Sequence, residues 1–214
     1  MPSPTVSKPP RRTQEQRSSE TRTRLLDATI DCLVEYGYAG TTTPRVAERA
    51  GVTRGAQVHH FGSKTDLVVA AVSHLAQRRT EAAMKEINRV RAGDDPLGSA
   101  LEFMWELHQG PLFIAAIELW VASRTDRLLA AEVEKVEPFV NNAVLLAVAQ
   151  LVPNELYRKH VRDFAYTAMD TLRGILVTNF ISPDSERAHR RWLRASAQLR
   201  LAAESGMPDL HITH

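Results

Sequence analysis

The amino-acid sequence predicts an all-α protein: a small N-terminal three-helix domain built around a helix-turn-helix, followed by a larger helical C-terminal domain. Three observations lead there. Apolar residues recur at steps of three and four almost throughout, and the β-branched alternation of strands is scarce. Glycine, proline and small polar residues interrupt the pattern where helix ends are due. Near the front, two segments of barely two turns each meet at a glycine, as helix, tight turn and helix.

The elements follow in order. The first 19 residues hold four prolines among Ser, Thr and basic residues, a composition that buries no core, so 1–19 is expected to be a disordered basic tail. The first helix spans about 20–36, with Leu26, Ile30 and Leu33 on one seam, and Gly37 ends it. Cys32 lies on that apolar face and is read as a packed core thiol. In "GTTTPRVAERAG", Thr42 or Thr43 caps a short helix whose first turn holds Pro44 and which Gly51 stops. Thr53 caps the next, about 54–61, stopped at Gly62, and Ser63 caps a long helix over about 64–91. Pro96 opens a helix to about 108, and "QGP" separates it from the apolar "LFIAAIELWVAS". Further helices are expected over 127–151, bent at Pro138, over 154–181 and over 184–205.

Composition narrows the function. The chain has 214 residues, 43 % of them apolar, which supports a sizeable core in one or two domains. No stretch approaches the ~18 consecutive apolar residues of a membrane span. The start lacks the apolar block of a secretory signal, and the one cysteine excludes an internal disulfide. A cytoplasmic protein with no membrane partner is expected. Residues 1–64 carry ten Lys and Arg against six Asp and Glu, whereas 65–214 carry seventeen against nineteen. A basic front on a slightly acidic body points to an anionic partner at the front.

The stretch "AGVTRGAQVHHFGSK", 50–64, has the chemistry of a helix laid against nucleic acid. Thr53 offers a hydroxyl, and Arg54 a planar fork for phosphate or guanine. Gly55 and Ala56 allow close backbone approach, Gln57 has the groups to read a base edge, and Lys64 at the next helix start suits a phosphate. The stretch from "RLLDATIDCLVEYGYAG" through "TTTPRVAERAGVTRGAQVHHFGSKTDLV" resembles the N-terminal domain of TetR-family transcriptional repressors. The matching features are Gly37-Tyr38, Thr42-Thr43, Val46-Ala47, Ala50-Gly51-Val52, Thr53, Gly55, Phe61, Lys64 and Leu67. Two positions depart. Val58 stands where the family often has a tyrosine, so no phosphate contact carries over there. Gln57 replaces a usual aliphatic residue, leaving open whether it faces DNA or the core. The resemblance implies DNA-binding roles for Thr42, Thr43, Arg45, Thr53, Arg54, Gly55, Gln57, His59, His60 and Lys64, with one histidine on phosphate and the other packed under the helix.

Other chemistries find no constellation. Adjacent His59 and His60 point about 100° apart on a helix, too divergent to chelate together, and no Cys or acidic set completes a metal site. No GxSxG, Walker loop or HExxH is present, so no enzyme, metal or cofactor is expected. A helical enzyme or scaffold with an incidental helix-turn-helix is the competing class.

The resemblance implies a DNA-binding domain over 20–64 and a ligand-binding and dimerisation domain over 65–214. Candidate pocket residues are Phe103, Trp105, Ile117, Trp120, Val121, Leu145 and Met169, with His108, Glu118 and Arg173 as polar groups. Glu118, inside an apolar helix, needs a partner such as Arg173 or Arg124, or else contacts a ligand; both readings stay open. Phe164, Ala165, Ala168, Leu172 and Leu176 on one helix, with Trp192 and Leu199 on the last, form apolar seams suited to a dimeric four-helix bundle. The function implied is a homodimeric repressor released from a pseudo-palindromic double-stranded operator by a small-molecule effector. An activator or a regulator dependent on a co-repressor is the alternative. Lys8, Arg11, Arg12 and Arg17 are expected to add phosphate or minor-groove contacts.

Overall fold

A computed structural model of the chain describes residues 13–91, 95–151 and 158–206. Among the described residues it forms nine helices and no strand: α1 (Gln14–Gly40), α2 (Thr43–Ala50), α3 (Arg54–His60), α4 (Lys64–Arg91), α5 (Pro96–Leu107), α6 (Pro111–Ser123), α7 (Arg127–Leu151), α8 (Arg158–Asn179) and α9 (Ser185–Gly206). None of them is long and apolar enough to cross a membrane. The chain divides into two compact units, Met1–Ala71 and Val72–His214, and α4 begins in the first and continues into the second.

In the first unit α1 starts six residues before the sequence suggests. Thr13 accepts from the Gln16 amide at 3.2 Å, and the Gln16 side chain accepts from the Thr13 amide at 2.9 Å, a reciprocal cap that launches the helix at Gln14. Residues 14–19 are therefore helical, not part of a disordered tail. Their polarity is that of turns that face solvent. The same helix continues past Tyr36 to Gly40 across a kink at Gly37, which takes φ 66°. Leu25, Leu26, Ile30, Cys32 and Leu33 are buried, together with Val46, Ala47, Phe61, Leu67 and Val68, and make this unit's core.

The two short helices are held by local chemistry. Thr42 accepts from the Arg45 amide at 3.4 Å to cap α2. Gly51 adopts the left-handed φ 61° that ends α2, and the Val52 amide reaches back to the Ala47 carbonyl at 3.0 Å. The Arg24 guanidinium clasps this turn through the carbonyls of Ala50 and Gly51. Thr53 caps α3 by accepting from the Ala56 amide at 3.2 Å, and Ser63 accepts from the Asp66 amide at 3.0 Å at the head of α4.

In the second unit, Asp95, Asp126 and Asp184 cap α5, α7 and α9 by accepting from Gly98, Leu129 and Arg187. Helix α7 runs unbroken through Pro138. The core gathers Leu101, Met104, Trp105 and Phe113 against Ala165, Ala168, Met169, Leu172, Leu176 and Trp192. Five residues expected at a dimer seam thus lie inside the chain's own core. Ala165, Ala168, Leu172 and Trp192 are fully buried and Leu176 nearly so, while Phe164 and Leu199 pack partly buried against them. The reason is that α8 and α9 each use their most regular apolar stripe on each other and on α5.

Candidate nucleic-acid interface and core cavity

The outward face of α3 carries Thr53, Arg54, Gly55, Val58 and His59, all exposed, and no acidic residue. A Cβ at Gly55 would meet only the Thr53 hydroxyl, at 3.9 Å. Gln57 is turned the other way: it is 2 % exposed and its amide donates to the Phe61 carbonyl at 3.0 Å. It closes the end of its own helix and faces the domain core, the second of the two readings left open for it. His59 is exposed. His60 is half-buried beside Phe61, and burial, then His59 and Arg22, hold its pKa below the usual value. At α2, Thr42 is exposed as the cap and Thr43 is half-buried.

Two expected phosphate ligands are tied to their own unit. The Lys64 ammonium donates to the Tyr38 carbonyl at 2.6 Å and lies 3.9 Å from the Tyr38 ring centre. Arg45 donates to the Gly40 carbonyl and sits 4.2 Å over Tyr36. The nearby Arg49 binds Glu35, and the Tyr36 hydroxyl, then Arg49, hold that carboxyl below its usual pKa range. Arg54 stands exposed on the outward face of α3. Arg17 is exposed on α1, while Lys8, Arg11 and Arg12 lie outside the described residues.

The second unit contains a cavity between α4, α5, α6 and α8. Leu107, Leu112, Phe113, Ala76 and Ala116 supply an apolar wall. Arg79, Thr80, His108, Trp120 and Arg173 supply the polar groups. Arg79 donates to the carbonyls of Leu107 at 3.1 Å and Gln109 at 2.8 Å, and burial lowers its pKa. Arg173 binds the Asn141 side-chain oxygen, lies 3.8 Å from Asp170 and stacks 4.9 Å over the Trp120 ring. Among the described residues its buried Nε has no acceptor. The His108 ring donates from Nδ1 to the Met104 carbonyl at 2.8 Å. Burial brings its pKa down to about 4, and the charges of Arg173 and Arg79 push in the same direction.

Of the expected pocket residues, His108, Trp120 and Arg173 line this cavity. Met169 is wholly buried next to it in the core, Ile117 packs on the core from α6, and Phe103 is buried without reaching the cavity. Trp105 stacks on His189 at 4.7 Å instead. Val121 is 63 % exposed, because a step of one residue from Trp120 turns it off the inward face. Leu145 lies outside the described residues. Glu118 is half-buried and does not line the cavity, and Arg173 is held by Asn141 and Asp170. Sequence reasoning missed Arg79. Its signal is positional: Val68, Ala71, Val72 and Ala76 form the inward stripe of α4, and Arg79 and Thr80 continue it. Among the described residues no three His, Cys, Asp or Glu gather as metal ligands.

A capped helix-turn-helix presenting an arginine and a flat glycine surface, on a chain whose other unit is a helical body with a largely apolar cavity, defines a DNA-binding transcriptional regulator. The chain belongs to the TetR family: the signature of bacterial regulatory proteins of that family matches residues 25–71. It is 32 % identical over 185 residues to the HTH-type transcriptional regulator CymR of Pseudomonas putida, covering 85 % of this chain and 90 % of CymR. Among solved structures, it resembles a TetR-family member from Streptomyces coelicolor A3, with TM-score 0.56 at 26 % identity, over 82 % of this chain and 97 % of that one. It also shares its fold with the multidrug binding protein EbrR solved with proflavin, with TM-score 0.55 at 19 % identity, over 84 % and 99 % of the two chains.

Proposed function

We propose that this regulator is a cytoplasmic homodimeric repressor that binds a pseudo-palindromic operator through α3 and leaves it when a small molecule occupies the cavity of the second unit. The outward face of α3 carries this reading. Glycine in a helix costs about 1 kcal/mol relative to alanine, and nothing within the domain asks for one at Gly55. Close approach of an outside surface does, and Arg54 beside it suits a guanine edge or a phosphate. With Gln57 folded inward, and Lys64 and Arg45 anchored, Thr53, Arg54 and His59 remain as the outward polar groups of the recognition segment.

Two such heads meet half-sites about 34–36 Å apart, or a multiple of that. The cavity supports effector control through α4: Arg79, which lines it, and Lys64 belong to the same helix. EbrR, a multidrug binding protein of this fold, was solved with proflavin. A coupling of about 1–3 kcal/mol between cavity and head weakens operator binding roughly 5–150-fold.

The test is selection of a binding sequence from the DNA flanking the protein's own gene, followed by titration of wild type and Arg54→Ala. The variant should lose about 1–3 kcal/mol per half-site and remain dimeric by sedimentation. Unchanged affinity and an unchanged salt slope would remove α3 from the interface.

A further inference from the structure

We propose that the cavity takes a small organic carboxylate, its anionic group received by Arg79 and Arg173 and its apolar body laid against Leu112, Phe113 and Trp120. The inference names the chemical class of the effector and rests on the reading above. Its basis is an imbalance of charge. Two guanidiniums reach one largely apolar cavity. Arg79 gives its hydrogen bonds to main-chain carbonyls, and among the described residues no carboxylate acts on it. Arg173 has an amide oxygen from Asn141, an exposed Asp170 at 3.8 Å and the face of Trp120, while among the described residues its buried Nε has no acceptor. Glu137 also acts on Arg173, through Asn141, which donates to it, but does not line the cavity; among the described residues Arg79 has no such partner. His108 stays neutral and adds no counter-charge.

Buried cations are tolerated when paired, so the cavity's field selects what enters. A cationic ligand meets like charge, and a neutral one leaves both guanidiniums as they were. An anion completes them. The lining also decides between anions. Thr80 gives its hydroxyl proton to the Ala76 carbonyl at 2.9 Å, and His108 gives its Nδ1 proton to the Met104 carbonyl, so beside the two arginines the wall is mainly aliphatic and aromatic. Two arginines match the two oxygens of a carboxylate, whereas a phosphate ester would bury a further oxygen against carbon.

The experiment titrates the full-length protein, by calorimetry and thermal melting, with matched acids and amides: isobutyrate and isobutyramide, benzoate and benzamide, phenylacetate and phenylacetamide. At least one acid should bind about 10–100-fold more tightly than its amide. Arg79→Gln and Arg173→Gln should each abolish that preference, and the wild-type comparison stands even if one variant fails to fold. Amides binding as well as their acids, benzylamine binding as well as benzoate, or no acid raising the melting temperature would overturn the proposal. Adding the selected operator separates the two readings. An acid that binds without loosening the operator supports the carboxylate class and defeats the release mechanism. A neutral or cationic compound that releases the operator from this cavity does the reverse.

Discussion

His108 shows how one side chain carries a pH dependence into the whole protein. Its ring is buried, donates from Nδ1 to the Met104 carbonyl, and lies 6.0 Å from the Phe113 ring. Burial lowers its pKa from 6.5 to about 4 in the folded chain. The unfolded chain therefore takes up a proton as pH falls below 6.5, while the folded one resists until about 4. Stability is full above 6.5 and declines through that window as pH falls. The loss between pH 7.5 and pH 5 should be about 2 kcal/mol, read from urea midpoints, and His108→Phe should flatten most of it. Equal slopes in the two proteins would place the proton uptake elsewhere. At this scale the sequence was partly legible. His108 and Arg173 stand out as polar residues in apolar runs, but Gln57 shows the limit. An amide on a short helix looks the same whether it reads a base or closes its own last turn, and only the partner at Phe61 decides.

The starts of α2, α3 and α4 are readable because caps are local, while the start expected at 154 lies outside the described residues. Thr42, Thr53 and Ser63 each sit three residues before the amide they accept from. The start of α1 escaped because its cap, Thr13 with Gln16, precedes turns without apolar residues, and composition there is equally that of a loose tail. The turn between α2 and α3 gives a sharp test at this scale. Gly51 has φ 61°, and a Cβ there would lie 2.8 Å from the Arg24 guanidinium that clasps the turn. Gly51→Ala should cost about 1–2 kcal/mol from the left-handed backbone alone, with more from displacing Arg24. A loss under about 0.3 kcal/mol in denaturant unfolding would mean that the turn relaxes freely.

At the scale of the molecule, the all-helical class was legible in the sequence, but the partner of each apolar face was not. An amphipathic stripe has the same period whether it meets its own chain or a second copy. Since the regular stripes of α8 and α9 are spent internally, the dimer expected of this family falls to what remains outside. On α8 Tyr166, Gly174 and Val177 are exposed, and on α9 Leu193, Ala197 and Leu201 follow at steps of four. The small residues permit close helix approach. Val177→Glu combined with Leu201→Glu should leave a folded monomer in sedimentation, with operator affinity reduced to that of a single head. A dimer that survives both changes would place the interface on another face.

Cys32 is fully buried in the core of the first unit, its thiol held up in pKa by that burial, and the sequence contains no other cysteine. In the native state the protein thus offers no accessible thiolate to an alkylating reagent. A cysteine introduced at an exposed site such as Glu48 would react alone, without prior removal of a native one. Spin labels at that site in two associated copies would report the distance between their heads directly, with and without a bound small molecule.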